Sequence, residues 1–191
     1  MKRIVALIAI ALVMASSPAL ASEKAWKKVS SPKATGYVLL LRHAIAPGVG
    51  DPANFKIGDC STQRNLSEEG RAQARAIGAW LKSKKIRIAR VESSRWCRSI
   101  ETAKLMDIGK VKQNPNLDSL FNSDNPIADP RTAATREQII KHRNKQGLLV
   151  LVFHQINIMA LAGGGVDSGE GVLVRANRDG ELKVMGLSPV P

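Results

Sequence analysis

The chain has 191 residues, 44% of them hydrophobic, and a formal net charge of +13, which suits a globular domain with a basic surface. It contains one tyrosine and three phenylalanines, too few aromatic platforms for stacking nucleic-acid bases, so we expect no nucleic-acid partner. The positive charge instead favours small phosphorylated molecules, which it attracts over a long range.

The first 21 residues have the pattern of a secretory signal peptide. Lys2 and Arg3 precede an apolar stretch at 4–15, and a small-x-small sequence ends at Ala21, as signal peptidases require. We expect cleavage after Ala21 and a periplasmic or secreted protein without a stable membrane anchor. A retained membrane anchor is the alternative.

The remainder divides into a lead-in and one domain. Residues 22–36 are basic, and we expect them to form a flexible segment. Residues 37–191 alternate strand and helix patterns, without internal repeats or low-complexity tracts, and we expect a single domain.

The first predicted strand is the apolar run at 37–41, which has the composition of a strand buried on both faces. It leads into Arg42-His43 and a loop at 44–66 that is interrupted by glycine and proline. A loop of that length more often serves a function than connects passively.

The next predicted elements are a helix, a strand and a second helix. Ser67 has the features of an N-cap, with acidic residues in the first turn and apolar residues at helical spacing through Leu81. A strand follows at 86–91, and an apolar face from Ile100 to Met106 indicates another helix.

The later chain repeats this alternation. Residues 114–130 are loop-like and contain three prolines, a helix is predicted at 131–144, and a strand at 148–153 runs into His154. The carboxyl ends of parallel strands meet at the edge of the sheet where ligands bind. We therefore expect His43 and His154 to lie together there. For either histidine alone, an ordinary core or edge histidine would be the favoured interpretation, but the pair beside arginines favours a site.

The last predicted elements are strands at 171–175 and 181–185, which flank an Asn-Arg-Asp-Gly turn and predict a hairpin. The whole pattern is that of an α/β protein. It predicts a three-layer α/β/α sandwich with a mostly parallel central sheet and a C-terminal β-hairpin.

Three motifs, in order along the chain, resemble the histidine phosphatase superfamily, the phosphoglycerate mutase-like enzymes. They are Arg42-His43, then Ser93-Ser94 with Arg98 and Thr102-Ala103, then His154. This resemblance implies a phosphatase that forms a phosphohistidine on His43 and uses no metal or cofactor. It also implies that Arg42 and Arg98 clamp the phosphoryl group and that His154 donates a hydrogen bond to it.

The general acid of the reaction is harder to assign. Gln155 follows His154, and a glutamine cannot donate the proton. By resemblance Asp118 is the candidate, with an ordinary loop aspartate as the alternative and Glu170 as a weaker choice. Arg64 and Asn65 are expected to bind substrate from the first loop; for Arg64, a surface or ion-pairing role is the alternative.

Cys60 and Cys97 are the only cysteines, and in an exported protein we expect them to form a disulfide, with two separate thiols as the alternative. The expected partner is a small phosphorylated substrate, for which an envelope sugar phosphate would suit the charge and location. The sequence thus predicts an exported phosphomonoesterase. The alternative is a phospho-ligand-binding protein of the same fold that does not catalyse.

Overall fold

The computed structural model describes residues 18–188. Residues 1–17 of the predicted signal peptide lie outside them. Within the described part, the chain forms five α-helices and six strands. In chain order they are α1 Pro18–Val29, β1 Val38–Arg42, α2 Glu68–Ser83, β2 Ile88–Ser93, α3 Cys97–Leu105, β3 Val111–Gln113, α4 Pro130–His142, β4 Leu148–Phe153, α5 Gln155–Ala162, β5 Gly171–Ala176 and β6 Leu182–Leu187.

One six-stranded sheet runs through the domain in the order β3-β2-β4-β1-β5-β6. The first four strands are mutually parallel, whereas β5 is antiparallel to β1 and forms the terminal hairpin with β6. The predicted sheet and hairpin are confirmed. Strand β3 was not predicted, because its three residues are too few to show a periodic pattern.

Helices cover both faces of the sheet, as predicted for three layers. Alternate residues of β1 point to opposite faces: Leu39 and Leu41 pack beneath α1, α2 and α3, whereas Val38 and Leu40 pack beneath α4 and α5. Because the central strands are buried on both faces, β4 is apolar throughout.

The lead-in is ordered, contrary to our expectation of a flexible segment at 22–36. Ala25, Trp26 and Val29 of α1 are buried in the core, and Trp26 Nε1 donates to the carbonyl of Leu187 at 2.9 Å. Because basic residues surround these three positions in the sequence, the short apolar face of α1 was not recognised from the sequence. All three buried residues follow Ala21, the last residue of the predicted signal peptide.

Helix α2 begins where predicted, since Ser67 accepts a hydrogen bond from the Gly70 amide. Gly70 lies against the first loop so closely that a Cβ there would stand 2.0 Å from the Ile45 carbonyl oxygen. This contact fixes the chain just after His43. None of the helices between residues 18 and 188 has the length and apolarity needed to cross a lipid bilayer.

Candidate active site

The two histidines of the predicted site meet at one edge of the sheet. Strands β1 and β4 pair in parallel with Arg42 beside Phe153, so the following residues, His43 and His154, emerge together. Their ring centroids are 5.5 Å apart, and both side chains are buried, with 3% and 4% of their surfaces exposed. The strand register therefore brings together residues that are 111 positions apart.

The imidazole of His43 has one free nitrogen that suits a nucleophile. Its Nδ1 lies 2.8 Å from the Ala44 carbonyl, which only accepts, so Nδ1 carries the proton and Nε2 a lone pair. Nε2 accepts from Nε of Arg98 at 3.2 Å. Burial, reinforced by the charges of Arg98, Arg64 and Arg42, lowers the pKa of His43 to about 3, so the ring is neutral at ordinary pH.

His154 is held by its neighbours. Its Nε2 shares a 2.9 Å hydrogen bond with Ser94 Oγ, which follows β2 at the same edge of the sheet. The Trp96 ring packs edge-on against the imidazole at 5.3 Å. Burial lowers the pKa of His154 well below its ordinary value, and the neighbouring His43 and Arg98 act in the same direction.

Three arginines, Arg42, Arg64 and Arg98, line a cavity of about 910 Å³ next to these histidines. Nη1 of Arg42 donates to the Val166 carbonyl at 2.9 Å, but its buried Nε has no hydrogen-bond partner within residues 18–188. Burial lowers the pKa values of Arg42 and Arg64 without neutralising either group at ordinary pH. Such an arrangement suits a tetrahedral oxyanion.

The predicted disulfide is present and anchors the long loop at 44–66. Cys60 in the loop is bonded to Cys97 at the start of α3, one residue before Arg98. Gln63 reinforces this link, because its Oε1 accepts from the Cys97 amide at 2.9 Å. The loop is thus fastened to the helix that carries the central arginine of the site.

The two polar residues predicted to bind substrate from this loop differ in their placement. Arg64 lines the cavity and donates through Nε to the Gly50 carbonyl at 2.8 Å. Asn65 does not line the cavity; its amide donates to the Cys60 carbonyl at 2.7 Å. The side chain of Asn65 thus contacts the backbone of its own loop, and its assignment to substrate binding stays a prediction.

Asp118 is also placed outside the site. Its Oδ1 accepts from the Arg95 amide at 2.9 Å, and its Oδ2 accepts from Nε of the same arginine at 2.8 Å. It is 3% exposed and does not line the cavity. The structure thus pairs Asp118 with Arg95, away from the cavity lining, and its assignment as the general acid stays a prediction. The weaker candidate, Glu170, accepts from the Asp167 amide at 2.9 Å and is likewise absent from the lining.

The carboxyl group that does face the cavity is that of Asp51, which we did not single out from the sequence. It is the only acidic side chain among the cavity-lining residues in the described part of the chain. Its oxygens accept from both terminal nitrogens of Arg98, at 2.7 and 3.1 Å, and from Trp96 Nε1 at 2.9 Å. No motif marks Asp51, because a glycine- and proline-rich loop has no periodicity from which to infer direction.

The charges of the cavity favour an anion. Its fourth lining arginine, Arg131, is paired with Asp129 at 2.7 Å outside the lining. Among the lining residues, only Asp51 opposes the other three arginines, so the lining itself carries an excess of positive charge; Asp167 and Glu170 act on Arg42 from outside the lining. Within residues 18–188, no group of three or more histidine, cysteine, aspartate or glutamate side chains could hold a metal ion.

The mouth of the cavity is apolar. Val49, Phe121 and Met159 line it, and they are 90%, 64% and 44% exposed. Large exposed apolar side chains gathered around a charged cavity are typical of a binding surface. The sequence indicated the loops that frame the cavity but not this apolar rim.

Residues 38–120 match the family model of the histidine phosphatase superfamily, branch 1. This stretch contains Arg42, His43 and Arg98, whereas His154 lies beyond it. No curated protein matches the chain significantly.

Solved structures share the fold at low sequence identity. The protein histidine phosphatase SixA, complexed with tungstate, is 18% identical with a TM-score of 0.57, covering 79% of this chain and 95% of that one. A putative phosphohistidine phosphatase SixA from Nakamurella multipartitia is 15% identical, with a TM-score of 0.59 and coverages of 84% and 99%. A phosphoserine phosphatase from Entamoeba histolytica is 14% identical, with a TM-score of 0.54 and coverages of 81% and 97%. Over residues 38–120 the chain thus resembles the histidine phosphatase superfamily, and across most of its length it shares the fold of these solved structures.

Proposed function

We propose that the protein hydrolyses phosphomonoesters through a phosphohistidine on His43. The observation that carries this proposal is the neutral, buried imidazole whose Nε2 lone pair lies beside Arg98. A neutral imidazole is a competent nucleophile, and the adjoining guanidinium groups supply the charge that phosphoryl transfer requires.

The reaction proceeds in two displacements. In the first, His43 Nε2 attacks phosphorus, the P–N bond forms, and the bond from phosphorus to the leaving oxygen breaks. In the second, water attacks phosphorus, the P–N bond breaks, and inorganic phosphate leaves. Arg42 and Arg98 neutralise charge on the equatorial oxygens, while His154 hydrogen-bonds to the phosphoryl group.

Turnover of p-nitrophenyl phosphate by the wild-type protein tests this function. We expect His43→Ala to lower kcat by about 10⁴-fold or more, because it removes the nucleophile. His142→Gln is the matched control: it replaces the remaining histidine, which is buried in α4 and bonds to the Gly147 carbonyl at 3.0 Å, outside the cavity lining. We also expect brief incubation with labelled substrate to leave an acid-labile label on the wild type and none on His43→Ala.

The rival function is phospho-ligand binding without catalysis, and the same assay separates the two. A wild-type protein that binds inorganic phosphate tightly but releases no p-nitrophenol would establish the rival, because that leaving group departs with little help from an acid. Turnover that His43→Ala retains would contradict the phosphohistidine route.

The apolar mouth supports a substrate that has an apolar body next to its phosphate. Phenylphosphonate and methylphosphonate test this preference, because neither can be hydrolysed and they differ only in the organic group. We expect phenylphosphonate to inhibit more strongly, and Val49→Ser to reduce the difference. Val184→Ser is the control, since Val184 is 52% exposed on β6 but does not line the cavity. Equal inhibition by both compounds would contradict the preference.

Export to the periplasm or the medium is also part of this proposal. Support comes from the N-terminal pattern and from the disulfide between Cys60 and Cys97, a bond typical of oxidising compartments. Cell fractionation followed by N-terminal sequencing tests it, with Ser22 expected as the first residue. An envelope sugar phosphate as the substrate stays a prediction.

A further inference from the structure

We propose that Asp51 is the general acid of this phosphatase and that substrate binding itself releases it for that role. Because proton donation belongs to the reaction proposed above, it rests on that function. An alkyl or aryl oxygen leaves poorly as an anion and needs a proton in the transition state. Asp51 is the only carboxyl group that lines the cavity within residues 18–188.

The contacts of Arg98 place Asp51 across from the nucleophile. Nε of Arg98 donates to His43 Nε2 at 3.2 Å, whereas Nη1 and Nη2 donate to the two oxygens of Asp51 at 2.7 and 3.1 Å. One guanidinium group therefore separates the attacking nitrogen from the carboxyl group. A phosphoryl group bound at Arg98 has His43 at one end, and Asp51 lies at the other, where the leaving oxygen departs in an in-line displacement.

The carboxylate of Asp51 occupies the donors that a phosphoryl group needs. The two carboxylate oxygens of Asp51 accept from the two terminal nitrogens of Arg98. Guanidinium groups bind two oxygens of a phosphate in the same bidentate way. The side chain of Asp51 belongs to the long loop and is 16% exposed, so it can withdraw with modest rearrangement. An incoming phosphoryl group thus takes over Arg98 and displaces Asp51.

This displacement changes the protonation of Asp51 in the required direction. Burial by itself raises the pKa of the Asp51 carboxyl, but hydrogen bonds from Arg98 and Trp96 outweigh it and hold the pKa below its ordinary value while the ion pair with Arg98 is intact. When a phosphoryl dianion takes Arg98, the carboxyl loses its cationic partner and gains a negative neighbour, and both changes raise its pKa. Asp51 can then be protonated at a position from which it donates that proton to the leaving oxygen.

The proton balance closes over the cycle, because Asp51 takes up one proton from solvent when the phosphoryl group displaces it from Arg98 and returns one at the end. As His43 Nε2 bonds to phosphorus, the proton on Asp51 passes to the departing oxygen, which leaves as an alcohol, and Asp51 becomes a carboxylate. In the second displacement this carboxylate accepts a proton from the attacking water as the P–N bond breaks. Phosphate departs, and Asp51 loses its proton to solvent as it pairs with Arg98 again.

The dependence of kcat/KM on the leaving group tests the proposal, because kcat/KM reports the first displacement. We expect Asp51→Asn to lower kcat/KM by about 10² to 10⁴-fold on ethyl or phenyl phosphate, whose leaving groups need a proton. The loss should be far smaller on 2,4-dinitrophenyl phosphate. Asp59→Asn is the matched control, an exposed aspartate of the same loop that accepts from the Ser61 amide and does not line the cavity.

Inorganic phosphate gives a second measurement that needs no turnover by the variant. Removing the carboxylate frees Arg98, so we expect phosphate to bind more tightly to Asp51→Asn than to the wild type, as measured by calorimetry. Asp51→Ala repeats both tests if the asparagine variant does not fold. An equal loss of kcat/KM on all three substrates, or an unchanged affinity for phosphate, would overturn the proposal. Wild-type turnover of p-nitrophenyl phosphate in that case would leave the phosphatase function itself intact.

Discussion

The two walls of the cavity are held in different ways. On one wall, Arg42, His43 and His154 stand at the ends of β1 and β4, whose register is set by backbone hydrogen bonds and a fully buried core. On the other wall, Asp51 and Arg64 belong to a long loop that is fixed by a disulfide and by single side-chain contacts. The nucleophile is therefore held by the sheet, whereas the loop wall depends on one covalent bond and a few side-chain hydrogen bonds.

Arg98 joins the two walls, because it donates to His43 on the sheet side and to Asp51 on the loop side. The division suits phosphoryl transfer. The attacking atom must be preorganised, since small displacements of a reacting group are costly. The carboxylate of Asp51, which pairs with Arg98 before substrate binds, must instead be able to move away from Arg98.

Among the tests of this comparison between the walls, the largest effect is expected where both walls depend on one side chain. Arg98→Lys keeps the positive charge but removes the planar fork that reaches His43 and Asp51. We expect kcat/KM for p-nitrophenyl phosphate to fall by about 10³-fold. Arg95→Lys is the control, because Arg95 pairs with Asp118 outside the lining. Equal values of kcat/KM for the two variants would show that catalysis does not depend on the contacts of Arg98 with both walls.

Breaking the disulfide should loosen the loop wall only. In the chain-entropy model, a bond between residues 37 positions apart stabilises by about 3–4 kcal/mol. We expect Cys60→Ser/Cys97→Ser to lose roughly that free energy of unfolding, measured by denaturant titration, and to raise KM more than it lowers kcat. A variant whose kcat collapses while KM is unchanged would mean that the loop also positions the nucleophile.

Asp118→Asn sharpens the distinction between the two arginine-paired aspartates. Asp118 accepts from the backbone and side chain of Arg95 in a buried position, so we expect the variant to lose about 1–3 kcal/mol of stability. Its kcat/KM on phenyl phosphate should remain close to that of the wild type. A selective loss on that poor leaving group would return the role of general acid to Asp118.

A further effect is expected on the sheet wall, where acid should destabilise the fold. Burial lowers the pKa of His43 to about 3 and also lowers that of His154, whereas both are about 6.5 in the unfolded chain. The unfolded chain therefore binds more protons below that pH, and stability falls as pH drops from about 6.5 towards 3.

Each proton contributes up to about 1.4 kcal/mol per pH unit. Between pH 6.5 and 5 most carboxyl groups stay ionised, so thermal unfolding in that window reports mainly on histidines. His43→Asn should show a shallower loss of stability there than the wild type. An equal slope would mean that His43 is protonated in the folded protein.

Sequence patterns were sufficient for the sheet wall. An apolar run that ends in a polar residue predicts both a buried strand and the point where that strand emerges, and the parallel arrangement brings such ends together. Arg42, His43 and His154 follow from that rule. Arg98 was predicted from the family resemblance that its motif carries, and the disulfide from two cysteines in a chain that is expected to be exported.

For the loop wall and the segment at 22–36, only the tertiary structure decided which side chains are buried and which face the cavity. Whether Asp51 or Asp118 faces the cavity depends on the path of two irregular loops, and no period in the sequence encodes the direction of a loop side chain. Similarly, Trp26 is buried because α1 packs beside β6, not because its neighbours are apolar. Local periodicity determined which residues lie at the ends of strands, and packing between distant segments alone decided which carboxyl group meets the arginine beside His43.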